Sequence, residues 1–554
     1  MEKRIFLAIV ISIAFLWGWA ALAPKLFPEL AKKPEPPKPA AVQKTATAVP
    51  STTSGAAAAP AAGAPQAPEA GASPQAPARL VAETEKRTII DKPEYTAVLS
   101  NRGAQLISFQ LKKYARKHSK LPVEMVKARR EKGRIDYPFA IQAQDQAFAA
   151  GLNTALYTVS ERDDRGERVV EYRYSDGKTT ATKTFRFTTS PYLFDFNVAI
   201  APPVPYRVVI GPGIRTLDPE EQDSRYVTTG NGVVERENKF RVIPREKGEP
   251  YRVFDSTQYI GLADNYFLTA LRVKTGGEGI LKRLTLIDAK GKKIRDDFYA
   301  GVNAVNGVVA GDAFFGPKET KLLDNYGFGD ALQFGWLGVI ARFLLGALVW
   351  LNRYTHNYGF AIVVLTILLK ILLYPLQHKQ NVSMKKMQRI QPKVEALRAK
   401  YKKHKTDAEQ RQKMNMEQMQ LYQKEGINPA AGCLPLVVQL PILWGFYSLL
   451  SHAIELRGAP WILWIHDLSD KDPTYILPIL MTATMFIQTW IMPATGDPAQ
   501  RRMFLIMPLF FGFLFKDFPC GLVLYWLVQN ILTIIQQLIM NKWWKDHPAE
   551  LQQA

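Results

Sequence analysis

Five apolar stretches crowd the C-terminal part of the chain, at roughly 357–375, 432–450, 474–492, 503–518 and 520–540, each built mostly of Leu, Ile, Val, Phe, Met and Trp. A hydrocarbon layer roughly 30 Å thick is crossed by about 20 apolar residues in a helix. Inside that layer a segment must satisfy its own backbone polar groups, which for single spans means helix. A sixth run, Ile5 to Ala23, follows Met1-Glu2-Lys3-Arg4. Ala21-Leu22-Ala23 resembles a signal-peptide cleavage site, but Pro24 follows directly and the run exceeds the usual signal core, so an uncleaved anchor is expected.

Loop charges give the orientation, because short cytoplasmic loops are rich in Lys and Arg and exported ones are not. The loop 376–431 is basic from Lys379 to Lys424, whereas 453–472 carries Asp467, Asp470 and Asp472. Arg501 and Arg502, then Lys542 and Lys545, fall on the basic side again. Six crossings place both termini in the cytoplasm and send residues 24 to about 335 across the membrane. The expected fold is therefore a polytopic α-helical membrane protein of six transmembrane helices with a large exported domain.

That exported part opens on a Pro/Ala-rich linker, 24–84, with too little apolar surface to offset chain entropy. Beyond it the period becomes two: Val170, Tyr172 and Tyr174 alternate with Glu171 and Arg173, and Phe194, Phe196, Val198 and Ile200 alternate with Asp195 and Asn197. Half-buried strands have this pattern. With turns at Asp176-Gly177 and Gly211-Pro212-Gly213 and no helical pattern between strands, it predicts an antiparallel β-sandwich over 85–330. The remaining boundaries are an anchor at 1–23, an amphipathic helix along the outer interface at 331–352, a second span at 353–376, a basic cytoplasmic hairpin at 377–431, the last four spans within 432–540 and a short cytoplasmic tail at 541–554.

No nucleophile elbow, phosphate loop, dinucleotide fingerprint or metal-ligand spacing occurs, so neither enzyme chemistry nor a cofactor or metal is expected. His356, His378, His404, His452 and His466 fit no tetrahedral site. Cys433 and Cys520 are expected on opposite faces of the bilayer, beyond the reach of a disulfide. The net charge of +21 points to anionic partners, phospholipid headgroups or ribosomal RNA, but not DNA.

Lys370 is the most informative residue, since a cation inside an apolar span costs about 3 kcal/mol at the bilayer centre. Thr366 lies one turn earlier on the same face. Gln439, Gln488, Tyr525, Gln529 and Asn530 put polar atoms into three other spans, and together these residues would line a wet groove open to the cytoplasm. The plainer alternative has Lys370 extending its stem to the interface as an anchor, and Pro435, Pro441 and Gln439 forming ordinary helix kinks. In the basic loop, Met384, Met387, Ile390, Val394, Leu397 and Tyr401 recur at three and four, and Met414, Met416, Met419, Leu421 and Tyr422 mark a second helix. A turn at His404 to Asp407 would make a hairpin, whose methionines serve either to receive apolar segments or simply to pack on each other. A transporter or channel using Lys370 as an intramembrane charge is the competing class, but it lacks an internal repeat and an ion-coupling carboxylate. An anchored sugar-binding enzyme is the third.

Phe315-Gly316-Pro317-Lys318, Tyr374-Pro375-Leu376, Asn428-Pro429 through Gly432-Cys433-Leu434-Pro435, Gln439-Leu440-Pro441-Ile442, Trp464-Ile465-His466-Asp467-Leu468 and Gly521-Leu522-Val523-Leu524-Tyr525 together resemble the YidC family of bacterial membrane insertases, along essentially the whole chain. The resemblance implies a five-helix core around a hydrophilic groove, sealed toward the exported side, that integrates nascent membrane proteins into the inner membrane, alone or with the Sec translocon. It implies that substrates slide along spans two and six, that Thr366 contacts substrate, that Trp526 lines the slide, and that Lys370 stands where relatives usually carry arginine. The charge survives there without the planar fork. The tail after Lys542 lacks the long basic extension some relatives use on ribosomes, so only weak ribosome binding is implied.

Overall fold

The computed structural model describes residues 78–546 apart from 117–118, 128, 132–133, 216–229, 245–249, 288–292, 402–407, 427–433 and 492–497. The expected anchor, most of the Pro/Ala linker, Cys433, the turn from His404 to Asp407 and the end of the tail lie outside the described residues. Those described form two compact units, Leu397–Met419 and the remainder.

Alternation builds the β domain. In the strand Leu193–Ala201, Phe194, Phe196, Val198 and Ile200 all point inward. Its antiparallel neighbour Thr180–Phe187 sets Phe185 against Phe196 and Phe187 against Phe194. Phe139, Phe109 and Phe315 complete an aromatic cluster, with Phe139 edge-on to Phe185 at 4.9 Å and Phe109 at 5.4 Å from Phe315. Each buried Phe is worth about 1.5–3 kcal/mol and each ring pair roughly 1 kcal/mol more. The turn after Glu167–Ser175 forms at Asp176-Gly177: Asp176 Oδ1 accepts from the amides of Lys178 (2.8 Å) and Thr179 (2.7 Å), and Gly177 takes φ +91°.

These strands belong to a nine-stranded antiparallel sheet in the spatial order Lys239–Ile243, Asn231–Arg236, Thr257–Ala263, Phe267–Val273, Val308–Pro317, Leu193–Ala201, Thr180–Phe187, Glu167–Ser175, Thr158–Asp164. A five-stranded sheet (Tyr251–Phe254, Gly279–Ile287, Lys293–Asn303, Tyr206–Ile210, Ala140–Ala143) packs on it, and a four-stranded sheet spans Arg87–Glu124. Helix is not absent between the strands, contrary to expectation. Gln146–Thr154 forms a helix, α1, started by Asp145, whose carboxylate caps the amides of Ala147 and Phe148.

A short helix, Thr320–Tyr326 (α2), leads to the apolar part. There Gly338–Thr355 (α3), Tyr358–Leu372 (α4), Tyr374–Arg389 (α5), Gln391–Lys400 (α6), Ala408–Lys424 (α7), Leu434–His452 (α8), Ile476–Ile491 (α9), Pro498–Phe515 (α10) and Cys520–Asp546 (α11) follow in order. Among the described residues one helix, Cys520–Trp543 within α11, is by itself long and apolar enough to cross a bilayer. Helices α3 and α4 pass the same test together but meet at a bend of 118°. The bend has a local cause: His356 turns left-handed (φ +50°), and the Asn357 side chain then caps a fresh helix through the amides of Gly359 and Phe360. In α3, Ala341, Leu344, Leu345, Leu348 and Leu351 are buried, while Trp336 and Val339 just before and at its start, with Phe343 and Trp350, stand exposed.

Polar contacts tie the sandwich to the helices. Asn265 Nδ2 donates to the Ser451 carbonyl (2.8 Å) and Arg457 Nη1 to the Ala115 carbonyl (2.9 Å), while Ser448 Oγ donates to the Phe334 carbonyl (2.7 Å) in the segment leading into α3. The Arg457 guanidinium also lies over the Phe267 ring at 5.4 Å.

Candidate functional site

Helix α11 is the hub onto which α4 and α9 pack most heavily. Its apolar run positions the polar residues that face them. Lys370, in the last turn of α4, is half-buried and donates its Nζ to Thr533 Oγ1 on α11 at 2.9 Å. Thr533 in turn donates to the Gln529 carbonyl (2.7 Å), so its oxygen is fixed toward the cation. Gln439 of α8 donates Nε2 to the Tyr525 hydroxyl, and the Tyr525 ring stacks on Phe446 at 4.3 Å. Asn530 is buried and donates Nδ2 to Thr484 Oγ1 (3.2 Å) and to the Met481 carbonyl (3.4 Å) of α9.

The other expected residues stand apart. Thr366 is fully buried, its hydroxyl donating to the Ile362 carbonyl of its own helix (2.7 Å). Gln488 is half-buried near the end of α9. Trp526 packs on α10, 5.2 Å from the Phe515 ring and stacked on Phe511 at 6.1 Å.

Spacing did not single out Thr533 or a row of polar atoms beyond it. Gln377 Oε1 and His378 Nδ1 on α5, with Gln536 Nε2 and Asn541 Oδ1 on α11, are buried with no hydrogen-bond partner among the described residues. Asn381 Nδ2 reaches Met540 Sδ at 3.3 Å and joins the same two helices. Orphaned polar atoms cost about 1–3 kcal/mol each unless something hydrogen-bonds them. The other end of α4 is different. Ala361, Ile362 and Leu365 pack with Phe446, Leu449, Leu450, Leu522 and Val523, all essentially without exposure. Gly359 admits the Trp461 ring so closely that an added Cβ would sit 2.1 Å from it. The bundle is therefore close-packed and largely apolar at this end, where Trp461 Nε1, Trp464 Nε1 and Ser451 Oγ are also buried without a partner among the described residues, and more polar around Lys370.

In the basic segment, Met387, Ile390 and Val394 form a small core with Leu421 and Tyr422, and Lys393 pairs with Glu425 at 2.6 Å. Met384 is half-buried in α5. Within Leu397–Met419, Tyr401 donates its hydroxyl to Glu417 Oε1 (2.7 Å), and Met414, Met416 and Met419 are half-buried in α7.

A β-sandwich joined to a set of apolar helices, one of them long enough to cross a bilayer, suits a membrane protein with a folded domain outside the bilayer, and the sequence comparisons narrow it. Residues 87–347 match the family model described as the YidC periplasmic domain, and 350–547 match the 60Kd inner membrane protein model. A membrane protein insertase YidC of Geobacter metallireducens is 34% identical over 98% of this chain and 98% of its own. That of Syntrophus aciditrophicus is 34% identical over 98% of this chain and 100% of its own. This chain belongs to the YidC family. Among solved structures, an active YidC insertase with its first transmembrane domain resolved covers 83% of this chain and 94% of its own, at 20% identity and a TM-score of 0.35.

Proposed function

We propose that this protein integrates newly made proteins into the inner membrane through a wet groove bearing one cation, without enzymatic turnover of a nucleotide. Six crossings with both termini in the cytoplasm, the loop-charge reading, orient the bundle so that its packed end faces outward and Lys370 faces inward. The observation that carries the proposal is the asymmetry along α4 and α11. Lys370, Thr533 and the orphaned atoms of Gln377, Gln536 and Asn541 gather at one end, against a close-packed and largely apolar cluster at the other. Such a half-channel lowers the cost of bringing polar peptide partway into the bilayer, several kcal/mol per unsatisfied backbone group. The cation draws in the acidic or polar flank of a substrate, Gln439, Gln488, Tyr525, Gln529 and Asn530 offer hydrogen bonds, and the apolar segment leaves along spans two and six past Thr366 and Trp526. Its partition into lipid drives the process.

The partners in this reading are nascent membrane proteins, the Sec translocon, anionic phospholipids at the basic hairpin and, weakly, the ribosome. Lys370→Glu tests the electrostatic step: insertion of a single-span substrate with an acidic exported tail falls at least tenfold in proteoliposomes, while a substrate with a neutral tail is less affected. Equal insertion of both by the variant and the parent refutes that step.

A further inference from the structure

Helices α9 and α10 leave a groove of about 680 Å³ between them. Tyr475, Ile479, Ala483 and Ile487 line it from α9 and its N-terminal flank, Leu509, Phe513 and Lys516 from α10 and the residue just past it. At its middle the helices touch: an added Cβ on Gly512 would sit 2.1 Å from Thr482 Oγ1, so glycine here sets a close crossing from which the groove opens. From Tyr475 to Ile487 the groove runs about 18 Å at 1.5 Å per residue, slightly more than one leaflet of a hydrocarbon core roughly 30 Å thick. Apart from Gly512 and Thr482, whose hydroxyl donates to the Pro478 carbonyl of its own helix, the lining is aliphatic and aromatic, and its one cation sits at the terminus. Lys516 lies over the Phe513 ring at 4.4 Å and has no carboxylate in ion-pair range among the described residues. Asp472 cannot serve it, being engaged with the amides of Thr474 and Leu477 at the start of α9.

A lysine just past a helix end ordinarily acts as an interfacial anchor. This one also closes a chain-length apolar slot, and a slot with a cation at its membrane-surface end matches a lipid better than a peptide. A helical peptide segment, about 10 Å across with its side chains, would need a wider trough than 680 Å³ spread over about 18 Å provides. We infer that the groove seats one acyl chain of an anionic phospholipid of the outer leaflet, whose phosphate is met by Lys516. The leaflet, though not the groove, rests on the orientation in the proposed function. The lipid would fill the seam between α9 and α10 and hold two short helices together without a protein partner.

The test uses the full-length protein in liposomes holding a trace of phosphatidylglycerol with a photoreactive mid-chain group, beside phosphatidylcholine with the same chain, each loaded into one leaflet. After illumination, labelled peptides are mapped. The expected result is outer-leaflet labelling of Ile479–Ile487 and Leu509–Phe513 that favours phosphatidylglycerol roughly fivefold. That preference is lost in Lys516→Gln, kept in Lys516→Arg, and both lipids are excluded in Ala483→Phe. Equal labelling by the two lipids, a preference that survives Lys516→Gln, labelling from the inner leaflet alone, or displacement of lipid by a crosslinked substrate segment overturns the inference. Failure of the insertion reading shows elsewhere, as unchanged insertion after Lys370→Glu, and leaves this labelling pattern intact.

Discussion

Lys370 Nζ and Thr533 Oγ1 meet at 2.9 Å across the α4–α11 contact, so the one cation in α4 is held by a hydroxyl and not by a carboxylate. A carboxylate would neutralise the charge; a hydroxyl orients it and leaves it able to attract. The Thr533 hydroxyl donates to the Gln529 carbonyl one turn back, which turns its lone pairs toward the ammonium.

Thr533→Val removes that acceptor and keeps the shape. Hydrogen bonds to charged groups are worth about 1.5–3 kcal/mol, so the lysine loses its fixed position and insertion of acidic-tailed substrates slows roughly tenfold. Protease protection of the translocated tail in proteoliposomes measures this, and Thr533→Ser restores most of the rate. A Thr533→Val protein as fast as the parent shows that the pair positions nothing.

Lys183 gives the sandwich a pH dependence. Its ammonium is wholly buried among aromatic side chains, donates to the carbonyls of Gly103 (2.7 Å) and Phe139 (2.8 Å), and is pulled down to about 7 by burial. Below about pH 7 both folded and unfolded chains carry the proton and the cost of burying it is constant. Between about 7 and 10.5 the unfolded chain binds more protons than the folded one, so stability rises with pH. Lys318, pulled down to about 8, adds a slope of the same sign. Amide-exchange protection of Thr180–Phe187 in the full-length protein therefore grows from pH 7 to 9.5, and Lys183→Met flattens that growth. Protection that falls over this range contradicts the assignment.

Asn265 joins the two halves of the molecule through its bond to the Ser451 carbonyl, buried at both ends. Asn265→Ala leaves that carbonyl unpaired at a cost of about 1–3 kcal/mol. Thermal unfolding in detergent shifts down by a few degrees, and limited proteolysis cuts faster between Pro317 and Gly338 while the sandwich itself stays resistant. An unchanged cleavage rate would mean the contact contributes nothing to the junction.

The strands were legible because Phe194, Phe196, Val198 and Ile200 alternate with polar residues, and period two admits one reading when one face is buried. Their order in space was not. The pairing of Leu193–Ala201 with Val308–Pro317 joins segments over a hundred residues apart, and no local pattern encodes it. Lys370 announced itself by its cost in an apolar span, and Gln439 and Tyr525, each singled out separately, prove to be partners. Thr533 did not stand out, since threonine is common in helices and spacing on one helix says nothing of which neighbour it faces. Gln377 and Asn541 were missed because they lie near helix ends, where polar residues pass for the interface, and Gln536 because it falls close to the end of the expected span 520–540. The α1 helix was missed although Asp145 is a good cap, because its nine residues are too short for a period to emerge.

Cysteine labelling asks most directly whether the polar end of the bundle is wet. With Cys433 and Cys520 replaced by alanine, Gln529→Cys and Ile535→Cys are placed about 1.7 turns apart on α11 and so on different faces, the first one turn before Thr533 and the second 47% exposed on the apolar surface. A membrane-impermeant maleimide applied from the cytoplasmic side is expected to modify Gln529→Cys within minutes and to spare Ile535→Cys. If both resist the reagent equally, the pocket around Lys370 is closed to water and the groove does not exist.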